Sequence, residues 1–228
     1  MRPLTDELPK PLVKVGGKEL LARILDTLVA RGITEVVFTT GHMEDKIKQF
    51  VQSRYPSLHT SFVLNPRYSE TNYIYSLWLA KEAIGNEHDV LLFHSDMLFD
   101  PALLDRLLSH PKSGVLVQKG NAISPKDFNA RVEDDVVKEV RVKISGPNVS
   151  FCAPIYKLKA EDLNLWMAEI EKFVQQERLS HYAEDAFNEM IPQLVLHPVY
   201  FEDHELCMEV DDFEDLEKAT KLLAILKK

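Results

Sequence analysis

Residues 89–101 read DVLLFHSDMLFDP. Val90 to Phe93 is an unbroken apolar run of strand length, and a strand that is apolar on both faces belongs inside a sheet covered by helices on each side. Its polar residues, His94, Ser95 and Asp96, come only at the carboxyl end. Asp100 and Pro101 then supply the cap and first-turn proline of a helix running through Leu108.

The same grammar extends upstream. Lys18 to Arg31 carries a helical stripe at Leu20, Leu21, Ile24, Leu25 and Leu28, with Gly32 as the stop. EVVFTTG (35–41) reads as a strand, MEDKIKQFVQSRY (43–55) as a helix with Ile47, Phe50 and Val51 inward, and TSFVL (60–64) as a strand. A loop over 65–72 and a helix over 73–84 lead back to the opening stretch. Strand and helix alternate through short loops, which predicts βαβ units and a mostly parallel sheet. After GVLVQK (114–119) the pattern changes. ARVEDDVVKEVRV (130–142) reads as a hairpin and VSFCAPIYKL (149–158) as a strand. Helices are predicted from Ala160 to Arg178 and from Glu184 to Ile191. LHPVYF (196–201) and CMEV (207–210) are short strands before a final helix from Phe213. One domain over 1–228 is expected, a doubly wound part (1–118) with a mixed part (119–228) closing over its mouth.

With 228 residues, 45% of them hydrophobic and 28% charged, the chain can bury a full core. Neither an apolar run of membrane-spanning length nor a signal-peptide pattern is present in it. Cys152 and Cys207 sit in apolar strand-like stretches, which points to a reduced cytoplasmic protein with buried thiols; a disulfide between them is the other arrangement. A formal charge of −9 argues against a nucleic-acid partner. An anionic substrate would need local cations or a metal ion to attract it.

Ligands of open α/β sheets bind at the carboxyl ends of strands. Asp96 ends one apolar strand and Asp211 follows another. Carboxylates held rigidly there suit an oxygen-seeking cation such as Mg²⁺, although turn or capping aspartates are equally common at strand ends. Lys10 stands between Pro9 and Pro11, so a stiff loop presents it where it suits phosphate; a solvent lysine is the other reading. In RYSETNYIYSLWLAKEAI (67–84), Tyr68, Tyr73, Tyr75 and Trp78 surround a helix start capped by Thr71 or Asn72. Leu77 and Trp78 read as core, whereas Asn72 and Tyr73 are placed to line a pocket.

Five blocks in this order, RPLTDELPKPLVKVGGKELL (2–21), NPRYSETNYIYSLWLAKE (65–82), LLFHSDMLFDP (91–101), HYAEDAFNEMI (181–191) and MEVDDFEDLEKA (208–219), resemble the nucleotidyltransferases that join an NTP to a phosphorylated small molecule. The branch they look like is that of the CTP:phosphocholine cytidylyltransferases, and the likeness runs over essentially the whole chain. It implies an α/β Rossmann-like nucleotidyltransferase fold of the glycosyltransferase-A type, a mostly parallel mixed sheet flanked by helices. Residues 1–118 then become the nucleotide-binding part and 119–228 the acceptor-binding part. The implied reaction is in-line attack of a phosphate or phosphonate oxygen on the α-phosphorus of an NTP, with CTP the favoured donor, and release of pyrophosphate. Mg²⁺ is the implied cofactor, held by Asp96 and Asp211, with Lys10 on phosphate oxygens. Arg2, Asn72, Tyr73, Tyr182, Glu184 and Asp185 are the implied substrate contacts, the last three bordering a cationic amine head group. KDFNARV (126–132) departs from the basic residue expected nearby, carrying Asn129 and Ala130 before Arg131. A sugar 1-phosphate acceptor with UTP, GTP or dTTP, and a catalytically silent nucleotide-binding domain, are the alternatives; a homo-oligomer is left open.

The family signature also begins with a hydrophobic strand and a glycine-rich turn of the form A-A-G-x-G-x-R, whose N–H groups cradle the triphosphate. The quoted sequence starts just after that arginine's place. The expectation is therefore that Met1 is an internal methionine or the start of a shortened chain.

Overall fold

Apolar alternation along the strands builds a central layer with helices on both faces. A computed structural model describes residues 1, 4–120 and 123–226. A one-turn helix α1 (Leu4–Glu7) and a 3-10 turn over Lys10–Leu12 lead to a small hairpin, β1 (Lys14–Val15) and β2 (Lys18–Glu19), then to α2 (Leu20–Val29). β3 (Glu35–Thr40), α3 (Glu44–Arg54) and β4 (His59–Leu64) form a strand–helix–strand unit with parallel pairing. Next come α4 (Tyr73–Leu79), α5 (Lys81–Ile84), β5 (Val90–Phe93), β6 (Met97–Phe99), α6 (Pro101–Ser109) and β7 (Gly114–Gln118). The remaining elements are β8 (Phe128–Glu133), β9 (Val136–Val142), β10 (Val149–Leu158), α7 (Ala160–Gln175), α8 (Ala183–Glu189), β11 (His197–Phe201), β12 (Cys207–Glu209) and α9 (Phe213–Leu226).

β10 organises the sheet. One of its edges pairs antiparallel with β7; the other pairs with β8 through Val149–Phe151 and with β5 through Ile155–Leu158. β11 adds to β7 in parallel, so β5, β7 and β11 run one way and β10 runs against them. Strands from both halves of the chain thus share one mixed sheet. Alternation decides which face each residue covers. Leu116, Phe151, Ala153 and Ile155 pack with α2, α3 and α6. Val115, Val117, Cys152 and Tyr156 pack with α4, α7 and α8. The β10–β7 register shifts between Ala153 and Tyr156, around Pro154, a residue that cannot donate to a ladder.

Two local readings change. The helix expected over 73–84 is divided, with α4 ending at Leu79 and α5 beginning at Lys81. The strand expected to end at Asp96 is shorter, β5 stopping at Phe93, and an unforeseen strand follows it: Met97–Phe99 forms β6, which pairs antiparallel with β12. The Asp100 cap is present, its side chain accepting from Ala102 N at 2.9 Å. Among the described residues no helix is long and apolar enough to cross a membrane. Both cysteines are free.

β3 pairs with β4 on one edge and β5 with β10 on one edge; among the described residues neither has a strand on its other edge. A cavity of about 1240 Å³ is lined by Val36 and Phe38 of β3, Leu91 and Phe93 of β5, and Leu25 and Leu28 of α2. It reaches His94, Ser95 and Asp96 at the carboxyl end of β5.

Trp166 of α7 ties the helical layer to the sheet. It is fully buried, donates Nε1–H to Ala183 O at 2.8 Å and meets the Tyr156 ring edge-on at 5.5 Å. Trp166→Ala is expected to lower unfolding free energy by about 3–5 kcal/mol, read from urea midpoints. A change of under about 1 kcal/mol, the range of a surface substitution, would contradict this packing.

Candidate active site

A three-residue ladder brings two distant acidic segments together. β6 and β12 pair as Phe99↔Cys207, Leu98↔Met208 and Met97↔Glu209, and Val210 N donates to Asp96 O at 3.1 Å. Extended backbone sends residues two apart to the same side, so Glu209 and Asp211 turn together toward Asp96. One donor atom from each of Asp127, Glu209 and Asp211 lies within 4.8 Å of the others, and the same holds for His94, Asp96 and Glu209.

Lys10 enters this acidic cluster from the 3-10 turn. Pro9 is held at φ −65°, and Leu12 and Val13 are buried just beyond, so the loop is anchored on both sides of the lysine. Its ammonium bridges Asp96 Oδ2 and Asp211 Oδ1. Burial alone would lower the lysine's pKa, but the two carboxylates outweigh it and raise the value.

The cluster holds more acid than one lysine neutralises. Two carboxylate charges at such separation repel by about 3 kcal/mol at the effective dielectric of a half-buried site. Glu209 answers by holding its proton: burial, then Asp96, Asp127 and Asp211, push it up to about 9. Burial raises Asp127 too, with Asp211 adding to the rise. Asp96 Oδ1, Glu209 Oε1, Asp127 Oδ1 and His94 Nε2 are sealed from solvent without a hydrogen-bond partner. Buried acceptors without donors are costly. A group of them facing one another has the chemistry of a cation site, so these residues fit a divalent ion.

A second cluster lies beside the first. Glu184, only 1% exposed, accepts from Tyr73 OH at one oxygen and from Tyr156 OH at 2.7 Å at the other. Burial and the Glu184 carboxylate hold both phenols well above their ordinary pKa. The Tyr73 ring meets His94 edge-on at 4.8 Å; Phe128 lies 6.1 Å from His94 and 5.1 Å from Tyr182. Tyr73, His94, Phe128 and Tyr182 therefore make a continuous aromatic wall between Glu184 and Asp96.

The sequence-derived candidates distribute unevenly over this geometry. Lys10, Asp96 and Asp211 converge, and Tyr73, Tyr182 and Glu184 lie on or behind the aromatic wall. Asn72 caps α4, its side chain accepting from Tyr73 N at 2.7 Å while its own N–H binds Leu179 O at 2.8 Å. Asp185 spends both oxygens on the protein, accepting from Arg141 Nη1 at 2.7 Å and from Tyr182 N at 3.0 Å. Arg2 lies outside the described residues. Asn129 is wholly buried and pins its own loop, accepting from Ser124 N at 2.9 Å and donating to Ser124 O at 2.7 Å. Sequence reasoning passed over His94, Asp127, Phe128, Tyr156 and Glu209. For His94 and Glu209 a signal exists, since each stands two residues before a chosen aspartate. For the other three the sequence offers none, because β8 and β10 carry them in from distant positions.

The family description MobA-like NTP transferase domain matches residues 4–227. CMP-5'-(3-aminopropyl)phosphonate synthase of Streptomyces rubellomurinus is 35% identical over 108 residues, 47% of this chain and 17% of that protein. 2-aminoethylphosphonate cytidylyltransferase of Lancefieldella rimae is 25% identical over 205 residues, 87% of this chain and 79% of that protein. The solved structure of CTP:phosphocholine cytidylyltransferase from Streptococcus pneumoniae aligns with TM-score 0.79 at 20% identity, covering 98% of this chain and 93% of that one. The chain spans less than half the length of several curated relatives it matches.

The Glu209 proton has a measurable consequence. The folded chain keeps it up to about pH 9, whereas the unfolded chain releases it near 4.5. Folded protein binds the extra proton between these values, so this group's contribution to stability falls as pH rises through them. Melting curves from pH 5 to 8, without added metal, should show Glu209→Gln gaining on the wild type as pH increases. A constant difference across that range would contradict the assignment.

Proposed function

The chain belongs to the MobA-like NTP transferase family, and from that premise we propose that it is a cation-dependent cytidylyltransferase acting on a small phosphorylated or phosphonylated amine. In this reading an acceptor phosphate or phosphonate oxygen attacks the α-phosphorus of CTP in line. The new P–O bond forms as the α–β anhydride breaks, and pyrophosphate leaves. The names of the Streptomyces and Lancefieldella relatives support a phosphonate class of acceptor. The convergence of Lys10, Asp96 and Asp211 at the strand ends carries the reading.

A divalent ion such as Mg²⁺ would be held by Asp96 and Asp211 and would neutralise charge on the phosphates. The protein's own work is positioning and electrostatics. Lys10 supplies a fixed positive charge on an anchored turn, and an anionic phosphate competes with Asp96 and Asp211 for it. The β6–β12 ladder fixes the spacing of the two aspartates. On the acceptor side the Glu184 carboxylate stands behind Tyr73, with Phe128 and Tyr182 beside it, an arrangement that favours a cation. Each ring face contributes about 0.5–2 kcal/mol to a bound ammonium. A neutral sugar gains nothing comparable.

The cavity beside β3 and β5 belongs to the same proposal. Among the described residues each of these strands has one unpaired edge, and an apolar strand lying in the cavity would meet main-chain groups there and apolar side chains of β3, β5 and α2. Each buried Val, Leu or Ile side chain of such a strand contributes about 1.5–3 kcal/mol.

The reaction is tested with pyrophosphate release from CTP, UTP, GTP and dTTP against phosphocholine, 2-aminoethylphosphonate and a sugar 1-phosphate. CTP with an amine-bearing acceptor is the expected pair. Turnover confined to sugar phosphates would overturn the acceptor class. In the active pair, Asp96→Asn should lower kcat by about 10²-fold or more, the scale of losing a charge-stabilising group. Folding should change little, and undiminished activity would remove Asp96 from the site.

A further inference from the structure

His94 is an odd neighbour for a magnesium site. It stands just past β5, two residues before Asp96, and its N–H donates to Pro154 O at 3.2 Å, beside the register shift in β10. Tyr73 and Phe128 hold its ring edge-on, at 75° and 70°, so packing fixes the plane of the imidazole. Nε2 is sealed from solvent with no hydrogen-bond partner, as are Asp96 Oδ1 and Glu209 Oε1. One donor atom from each of these three residues lies within 4.8 Å of the other two. Lys10 engages the other oxygen of Asp96, Oδ2.

Three sealed polar atoms at such spacing cannot all be satisfied by one another, since a proton kept on Glu209 serves at most one neighbour and the His94 ring nitrogen donates or accepts but not both. A cation satisfies all three at once. The donor set then decides which cation. Mg²⁺ takes oxygen ligands and keeps much of its water, whereas an imidazole nitrogen among carboxylates favours Mn²⁺, Fe²⁺ or Co²⁺.

We propose that His94, Asp96 and Glu209 form a nitrogen-containing cation position that binds Mn²⁺-type transition ions in preference to Mg²⁺, so that His94 sets the metal preference of this chain. The inference rests on the cation-dependent reading above only in sharing Asp96. It is tested without nucleotide or turnover.

Pulsed EPR of Mn²⁺ bound to the chain should show ¹⁴N modulation from a directly bound imidazole. Titration calorimetry should give at least tenfold tighter binding of Mn²⁺ than of Mg²⁺. His94→Phe keeps the ring packing and removes the nitrogen. It should lose the ¹⁴N modulation and bring the Mn²⁺ and Mg²⁺ affinities to within about threefold of each other, a difference of roughly 0.7 kcal/mol. Absence of ¹⁴N modulation in the wild type would overturn the proposal without recourse to any variant. An unchanged Mn²⁺/Mg²⁺ ratio in His94→Phe would overturn it as well. Failure of nucleotidyl transfer alongside a positive ¹⁴N signal would remove the reaction and leave this site standing. Efficient transfer without the signal would do the reverse.

Discussion

Two segments more than a hundred residues apart meet because a three-residue antiparallel ladder, β6 with β12, pins them side by side. That ladder is short, yet it lies over an apolar cluster containing Leu98, Leu206 and Val210, so its register is fixed by burial as well as by hydrogen bonds. Slipping it by one residue would turn Glu209 and Asp211 away from Asp96. The acidic cluster, the Lys10 bridge and the unpartnered His94 nitrogen all depend on it.

Electrostatics shapes what the ladder brings together. Four carboxyl groups, Asp96, Asp127, Glu209 and Asp211, share a half-buried corner with one bridging ammonium. The protein meets the imbalance by retaining a proton on Glu209 and by leaving several buried oxygens without donors. Native structures keep such groups rare, and several of them converging on one corner is what a bound cation would satisfy. The neighbouring Glu184 differs in kind. Two buried tyrosines satisfy both of its oxygens, so it forms a rigid carboxylate floor under an aromatic wall rather than a cation ligand.

Much of this was legible in the sequence. The uninterrupted apolar run Val90–Phe93, with polar residues only after it, located one strand end at the site, and the capped helix after Asp100 followed from two residues. Asp96, Asp211 and Lys10 were singled out because a strand end and a proline-flanked turn are rigid platforms. Their meeting was not visible in local pattern, since the β6–β12 pairing is a long-range contact between short segments. Met97–Phe99 has no assignment in the sequence reading, because three residues carry too little periodicity to declare a strand. Asn72 stands out by its place at a helix start and Asp185 through the family resemblance, whereas in the fold their side chains secure helix termini. His94 and Glu209 stood in plain view in HSD and EVD, each two residues before its aspartate; alternation links Glu209 to Asp211, whereas residues 94–96 form a turn closed by Met97 N donating to His94 O at 3.3 Å. Tyr156 and Phe128 reach the site only through the packing of β10 and β8.

The central claim is that Asp96 and Asp211 act as one cation-binding unit held by that ladder. Calorimetric titration of CTP in the presence and absence of Mg²⁺, on the wild type and Asp211→Asn, tests it most directly. The account predicts Mg²⁺-dependent CTP binding in the wild type and loss of that dependence in the variant, with both proteins folded. Identical Mg²⁺ dependence in the two would contradict it.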